Sequence, residues 1–255
     1  MFHVKRHPHA PAGFFRCEAV GLQWLSDASG GVPAVRVVAV DERSLTLERL
    51  GSAAPDRAAA LTFGARLAHT HAAGADGFGA PPPEWTAPSG FFGPLERPLP
   101  MSYSREESWG RFYSEHRLAP MLERARLGTE TREAVDAVVS RCAAGTFDDP
   151  DEEPCRLHGD LWSGNVMWTP DGVVLIDPAA HGGHRETDLA MLALFGCPHL
   201  EAVREGYQQV RPLAQGWRDR IGLHQLYPLL AHVVLFGAGY ERQTLAAARS
   251  ALAAS

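Results

Sequence analysis

The sequence predicts an α+β chain of two lobes: a small strand-bearing front lobe over residues 1–50 and a larger, mostly helical back lobe over residues 51–255. Three observations point there. Residues 1–50 alternate β-rich runs with one segment of helical period. Beyond them, apolar residues recur mainly at helical spacing. One short hairpin interrupts that helical part, and polar residues cluster beside it. Hydrophobic residues make up 45% of the chain and charged residues 21%, an ordinary balance for a protein that buries a core.

In chain order, "FHVKR" reads as a short strand. "GFFRCEAVGLQWLSDA" (13–28) places Phe14, Phe15, Gly21, Leu22 and Leu25 on one side of a helix. "PAVRVVAV" (33–40) and "SLTLERL" (44–50) are β-rich and flank the turn "DER". "DRAAALTFGARLAHTHAAG" (56–74) reads as a helix stopped by Gly74. Residues 74–100, with "GAPPPEW" and "GFFGPLERPLP", are expected to form a long Gly/Pro-rich loop, of a length usually functional, a lid, or disordered. Helices are expected near 105–125 and 129–144, then a solvated acidic connector, "DDPDEEP" (148–154). "NVMW" and "VVLID" are strands around the turn "TPDG", and the chain from Arg185 onward reads as helices. No internal repeat is evident.

Several classes are disfavoured. A formal net charge of −6 argues against an unaided nucleic-acid surface. Cys17, Cys142, Cys155 and Cys197 are far apart with no CxxC pair, so they read as reduced thiols. The start lacks the apolar run of a signal peptide, and "YPLLAHVVLFGAGY" is too short to span a bilayer. A cytoplasmic protein with no membrane or nucleic-acid partner is expected. Nothing in the sequence fixes an oligomeric state.

The chemistry concentrates in "CRLHGDLWSGNVMW", residues 155–168. His158, Asp160 and Asn165 have the His-x-Asp-x-x-x-x-Asn spacing of a kinase catalytic loop. An aspartate must reach the proton of the attacking hydroxyl, and an asparagine must reach a metal on the phosphates nearby. A short loop anchored by the next strand can hold both. A second carboxylate, Asp177, ends the apolar run "VVLID", a suitable place for a metal ligand. Alone, each of these residues reads better as a turn residue or a cap; the ordered set reads as a site. His158 is expected to brace the loop. Trp162 is either an apolar wall for a substrate or a core tryptophan under the loop.

A phosphotransferase also needs a cation on the nucleotide phosphates. Lys5 is the single lysine among 24 basic residues. It precedes a helix on which Glu18 sits among Phe15, Gly21 and Leu22, and a buried carboxylate there needs a partner. A Lys5–Glu18 pair is expected, against the plain alternative of a solvated lysine and a glutamate set for the helix dipole.

"LHGDLWSGNVMW", "LIDPAAHGGHRETDLAM" and "LFG" strongly resemble the fructosamine kinases (ketosamine-3-kinases), whose fold is protein-kinase-like and related to the aminoglycoside phosphotransferases. "FHVKR", "FFRCEAVGLQWL", "GARLAHTH", "WGRFYSEHRLAPML" and "LYPLLAHVVLFGAGY" extend the similarity over nearly the whole chain. The resemblance implies Asp160 as catalytic base, Asn165 and Asp177 as magnesium ligands, and Lys5, braced by Glu18, on the phosphates of ATP. It implies the backbone of Glu48, Arg49 and Leu50 as an adenine-binding hinge, and Asp188 as structural support for the loop. The substrate would be a ketosamine, small or protein-bound. It would be phosphorylated on its sugar 3-hydroxyl in the repair of glycated amines. The resemblance also implies departures. The family carries a Gly-rich strand pair before its lysine, whereas here the chain begins four residues before Lys5, so a truncated front lobe is expected. "FFGPLERPLPM" lacks polar residues often seen at that place in relatives. The alternatives are another small-molecule kinase, of the aminoglycoside or choline type, and a non-catalytic remnant of the same fold. A metalloprotein built on "HPH", "HTH" and "HGGH" is a third: His69 and His71 would point to different helix faces, and His181 and His184 could share a ligand.

Overall fold

The structure, a computed structural model, describes residues 1–254. Its front part holds β1 (Phe2–Arg6), α1 (Phe14–Ser26), β2 (Val37–Val40) and β3 (Ser44–Glu48). The three strands form an antiparallel sheet in the order β1-β3-β2, with Lys5 opposite Leu45. Phe15 and Leu22 of α1 pack on Leu45 and Leu47, which alternate inward along β3. β2 is shorter than the sequence suggested. Residues 33–35 run instead along the end of a later strand: Val35 N donates to Leu175 O at 2.9 Å and Leu175 N to Pro33 O at 2.8 Å. This stitch ties the front sheet to the hairpin that precedes Asp177.

The remaining elements are α2 (Arg57–Ala72), β4 (Ser89–Phe92), β5 (Leu99–Ser102), α3 (Trp109–Tyr113), α4 (Ala119–Arg124), α5 (Thr129–Ala143), β6 (Cys155–Leu157), β7 (Val166–Thr169), β8 (Gly172–Leu175), β9 (His181–Gly183), α6 (Glu186–Leu194), α7 (Leu200–Val210), α8 (Ile221–Phe236) and α9 (Glu241–Ala253). Asp56 caps α2, accepting from Ala59 N at 2.9 Å. No helix among the described residues is long and apolar enough to cross a membrane.

Two expectations need correction. Residues 74–100 are not one open loop, because β4 and β5 pair as a hairpin at their end. Gly90, Phe92, Leu99 and Met101 alternate inward, a two-residue period hidden by the surrounding glycines and prolines. The helix expected from residue 105 begins at Trp109, where the Ser108 side chain caps it, and widens into a π turn over Ser114–Leu118 before α4.

Two large cores flank the catalytic-type loop. One joins β4, β5, α3–α5, α8 and α9. The other joins α2, the β7–β8 hairpin, α6 and α7, and includes Leu161, Val166 and Leu175. In the second core α2 and α7 cross at glycine: a Cβ on Gly64 would overlap the Val203 carbonyl, and one on Gly206 the Leu61 carbonyl. Gly64→Ala should therefore destabilise the fold by roughly 1–3 kcal/mol, since neither backbone can yield without repacking. Urea unfolding measures this, and an unchanged midpoint would contradict so close a crossing.

Candidate active site

The loop between β6 and β7 carries the chemistry, and Asp188 holds it in shape. Asp188, in the first turn of α6, accepts from His158 N at 2.8 Å, Gly159 N at 3.0 Å and the His71 ring at 3.2 Å. Burial pushes its carboxyl pKa up, but these donors outweigh burial and hold it below the ordinary value. Gly159 has φ +81°, and a Cβ there would strike the Ala179 carbonyl, so only glycine lets the chain turn here. His158 receives the Asp160 N–H on Nδ1 at 3.2 Å and donates from Nε2 to Ile176 O at 2.8 Å. Burial lowers its pKa, and both ring nitrogens are engaged. It braces the loop and has no proton to trade.

Five polar side chains then converge in a cavity of about 600 Å³: Lys5, Glu18, Asp160, Asn165 and Asp177. The Lys5 ammonium donates to Glu18 at 2.6 Å and also to the Asp177 carboxylate. Burial works against its charge, but the two carboxylates win and raise its pKa. Burial pushes Glu18 up while Lys5 pulls it back; the ionised pair is the state that satisfies both partners across so short a contact. Asp177 follows β8 in a left-handed conformation, φ 55°, which a non-glycine residue holds only under constraint. Asn165 turns its Nδ2 to Asp160 O at 2.7 Å, leaving Oδ1 as the end available to a cation. The Asp160 residue is only partly covered, yet its carboxyl lies deep in the cavity. That burial, opposed by Asn165 and reinforced by Asp177 and Asp188, lifts its pKa to about 7.

The other end of the cavity is aromatic. Trp162 is 40% exposed, so it is a wall of the cavity and not a core tryptophan. Its ring meets Phe195 edge-on at 6.2 Å, and Phe195 continues to His232 at 4.9 Å. His232 in turn meets Phe236 at 5.3 Å and Tyr240 at 4.9 Å. The sequence reading missed these four. Phe195 lies just beyond a helix, and His232 and Phe236 sit in an apolar run that looks fully buried; the histidine in that run was the available signal.

Other sequence-derived candidates fall elsewhere. Glu48, Arg49 and Leu50 do not line this cavity. The Glu48 N–H is taken by Arg36 O at 2.9 Å and the Arg49 N–H by Met1 O at 3.3 Å. His181 and His184 do not cluster together: His181 Nδ1 bonds Ala179 O, while His184 gathers with Glu186 and His224, their ligand atoms within 4.8 Å of one another. Arg220 already occupies that carboxylate with two hydrogen bonds, supplying the positive charge a metal would bring.

A family model described as fructosamine kinase matches residues 1–254. The chain is 33% identical over 250 residues to a "probable ketoamine kinase" of Enterococcus faecium, covering 95% of this chain and 84% of the relative. It is 35% identical over 244 residues to a "probable ketoamine kinase" of Thermus thermophilus, covering 94% and 83%. Among solved structures, a fructosamine-3-kinase candidate from Thermobifida fusca superposes with a TM-score of 0.90 at 48% identity, covering 99% of this chain and 86% of that one. A choline kinase of Streptococcus pneumoniae superposes with a TM-score of 0.61 at 14% identity, which shows the shared protein-kinase-like fold alone.

The raised Asp160 pKa has a consequence for stability. A carboxyl that is harder to ionise in the folded state penalises folding wherever the unfolded chain would ionise it. The penalty is absent below pH ~4, grows from there, and is complete above the folded value of about 7. Asp160→Asn should thus be more stable than the parent at pH 8, by at most about 4 kcal/mol, with the difference vanishing below pH ~4. Denaturant unfolding at both pH values checks this; a variant less stable at pH 8 would contradict it.

Proposed function

This chain belongs to the fructosamine kinase family, and from that premise we propose that it transfers the γ-phosphoryl group of ATP to the sugar 3-hydroxyl of a ketosamine. The observation that carries the reading is the convergence of Asp160, Asn165, Asp177 and Lys5 in one cavity, with the Asp160 pKa set near 7.

The cavity suits a divalent cation. Glu18, Asp160 and Asp177 set three carboxyl groups against the single ammonium of Lys5, and with Asn165 they offer hard oxygen donors. Asn165 Oδ1 and the Asp177 carboxylate would hold magnesium, which when bound neutralises charge on the phosphate oxygens. Lys5, fixed by Glu18, is the cation available to the phosphates. Asp160 takes the proton of the sugar hydroxyl as that oxygen attacks phosphorus, and it must be ionised to do so. Trp162 and the rings beyond it form the wall for the sugar and for the substituent on its amine. The lining at that end has Glu96 and no cationic side chain, which suits an amine without a free carboxylate. Phosphate leaves more readily than hydroxide, so the phosphorylated sugar is primed to break down and release the amine, consistent with a repair role.

The direct test is incubation with ATP, magnesium and a fructosamine, with the product located by phosphorus NMR. A sugar 3-phosphate is expected from the parent. A drop of roughly a hundred- to ten-thousand-fold is expected for Asp160→Asn with ATP affinity kept. A parent that turns over no ketosamine sinks the reading. In the active enzyme kcat/KM should rise about tenfold per pH unit up to the Asp160 pKa and level off above it, because only the carboxylate accepts the proton. A profile flat from pH 5 to 8 would remove Asp160 as the base. Tyr240→Ala should raise KM for a benzylamine-derived fructosamine more than for a glycine-derived one. Equal effects on both would detach the aromatic wall from the amine substituent.

A further inference from the structure

Behind the catalytic-type loop lies a second, much smaller cavity of about 20 Å³, lined among others by Gly159, Arg117, Tyr227 and His181. Arg117 reaches it because of Pro120. A proline has no N–H for the His116 carbonyl four residues back. Arg117 Nη1 donates to that carbonyl instead, at 2.9 Å, and to Ser102 O at 2.8 Å. The guanidinium is thereby turned inward, 1% exposed, over the rings of Phe112 at 4.6 Å and Tyr227 at 5.5 Å. Its Nε and Nη2 have no hydrogen-bond partner, and neither has the Tyr227 hydroxyl.

A guanidinium keeps its charge at any working pH. No carboxylate among the described residues lines this cavity. Tyr227 does not supply the negative charge: burial, opposed by Arg117, pushes its hydroxyl up to about 12. His181 is neutral, held down to about 3 by burial and by Arg117. Three unpaired donors and a positive charge with no carboxylate partner therefore belong to two residues that line a space for one small species, since a water needs roughly 10–15 Å³ of such volume. Phosphate and carboxylates are too large. A water would accept the hydrogen bonds but leave the charge unbalanced.

We propose that this cavity binds one halide-sized anion, held by Nε and Nη2 of Arg117 and by the hydroxyl of Tyr227. The anion balances the arginine and joins three elements from behind: the bend between α3 and α4, the middle of α8, and Gly159 of the loop. The site is independent of the phosphoryl-transfer reading, and so is its test. The protein is melted in sodium chloride, sodium bromide and sodium gluconate at equal ionic strength, and crystals grown in bromide are examined for anomalous scattering. Chloride and bromide should raise the melting midpoint over gluconate saturably, by about 5–10 °C at a hundred times the dissociation constant. A bromine peak should lie between Arg117 and Tyr227. Tyr227→Phe should shift the chloride titration to higher concentration, and Arg117→Met should abolish the chloride effect. If Arg117→Met does not fold, the parent and Tyr227→Phe decide alone. Equal midpoints in chloride and gluconate, or a cavity holding water with no bromine peak, overturn the proposal. So does a halide effect whose bromine peak lies elsewhere.

Discussion

The site depends first on one carboxylate that faces no substrate. Asp188 binds two consecutive backbone N–H groups, those of His158 and Gly159, and so fixes the direction in which the chain leaves β6. A buried anion accepting several hydrogen bonds is costly to move, because any displacement leaves charge and donors unpaired together. His71 closes the arrangement on the other side and is itself tied to Tyr207. The position of Asp160 is thus set by packing between α2, α6 and α7, well away from the cavity. The tight glycine crossing of α2 and α7 belongs to the same chain of cause.

On that frame the cavity collects more negative charge than it can pair. Lys5 answers Glu18 and Asp177, and Asp160 is left with only the Asn165 amide. Burial, reinforced by that surplus, lifts the Asp160 pKa into the range where a carboxyl can accept a proton at neutral pH, and the surplus gives an incoming cation its affinity. Strain follows the same logic. Asp177 holds a left-handed backbone between the β8 strand and Pro178, which aims its carboxylate at Lys5.

Much of this was legible in the sequence because the relevant spacing is local. His158, Asp160 and Asn165 fall within one loop, and Asp177 is separated from Asn165 only by a tight hairpin, so period and turn residues suffice to bring them together. Lys5 and Glu18 were legible for another reason: a carboxylate among Phe15 and Leu22 demands a cation, and the chain has one lysine to offer. The β4–β5 hairpin was hidden because glycine and proline dilute its two-residue alternation. The aromatic wall was hidden because it is assembled from the loop, the end of α6 and the end of α8. No spacing in the chain records that these three meet, and a half-exposed phenylalanine such as Phe236 looks the same in sequence as a buried one.

The helical part also supports the loop from behind. Leu161, fully buried, pins its middle in the core of α2, β7, β8, α6 and α7, while Gly159 rests against the opposite core through the small cavity beside Arg117. One side is held by apolar packing and by the Asp188 carboxylate; on the other, Gly159 and the inward-turned Arg117 line the same small cavity. The backbone leading to Asp160 is thus fixed by Asp188 through Gly159 and by Leu161 in the core. A loop held this way keeps its geometry when the charge of the cavity changes, because Asp188 and Leu161 are both buried away from the solvent and from the groups that enter in front.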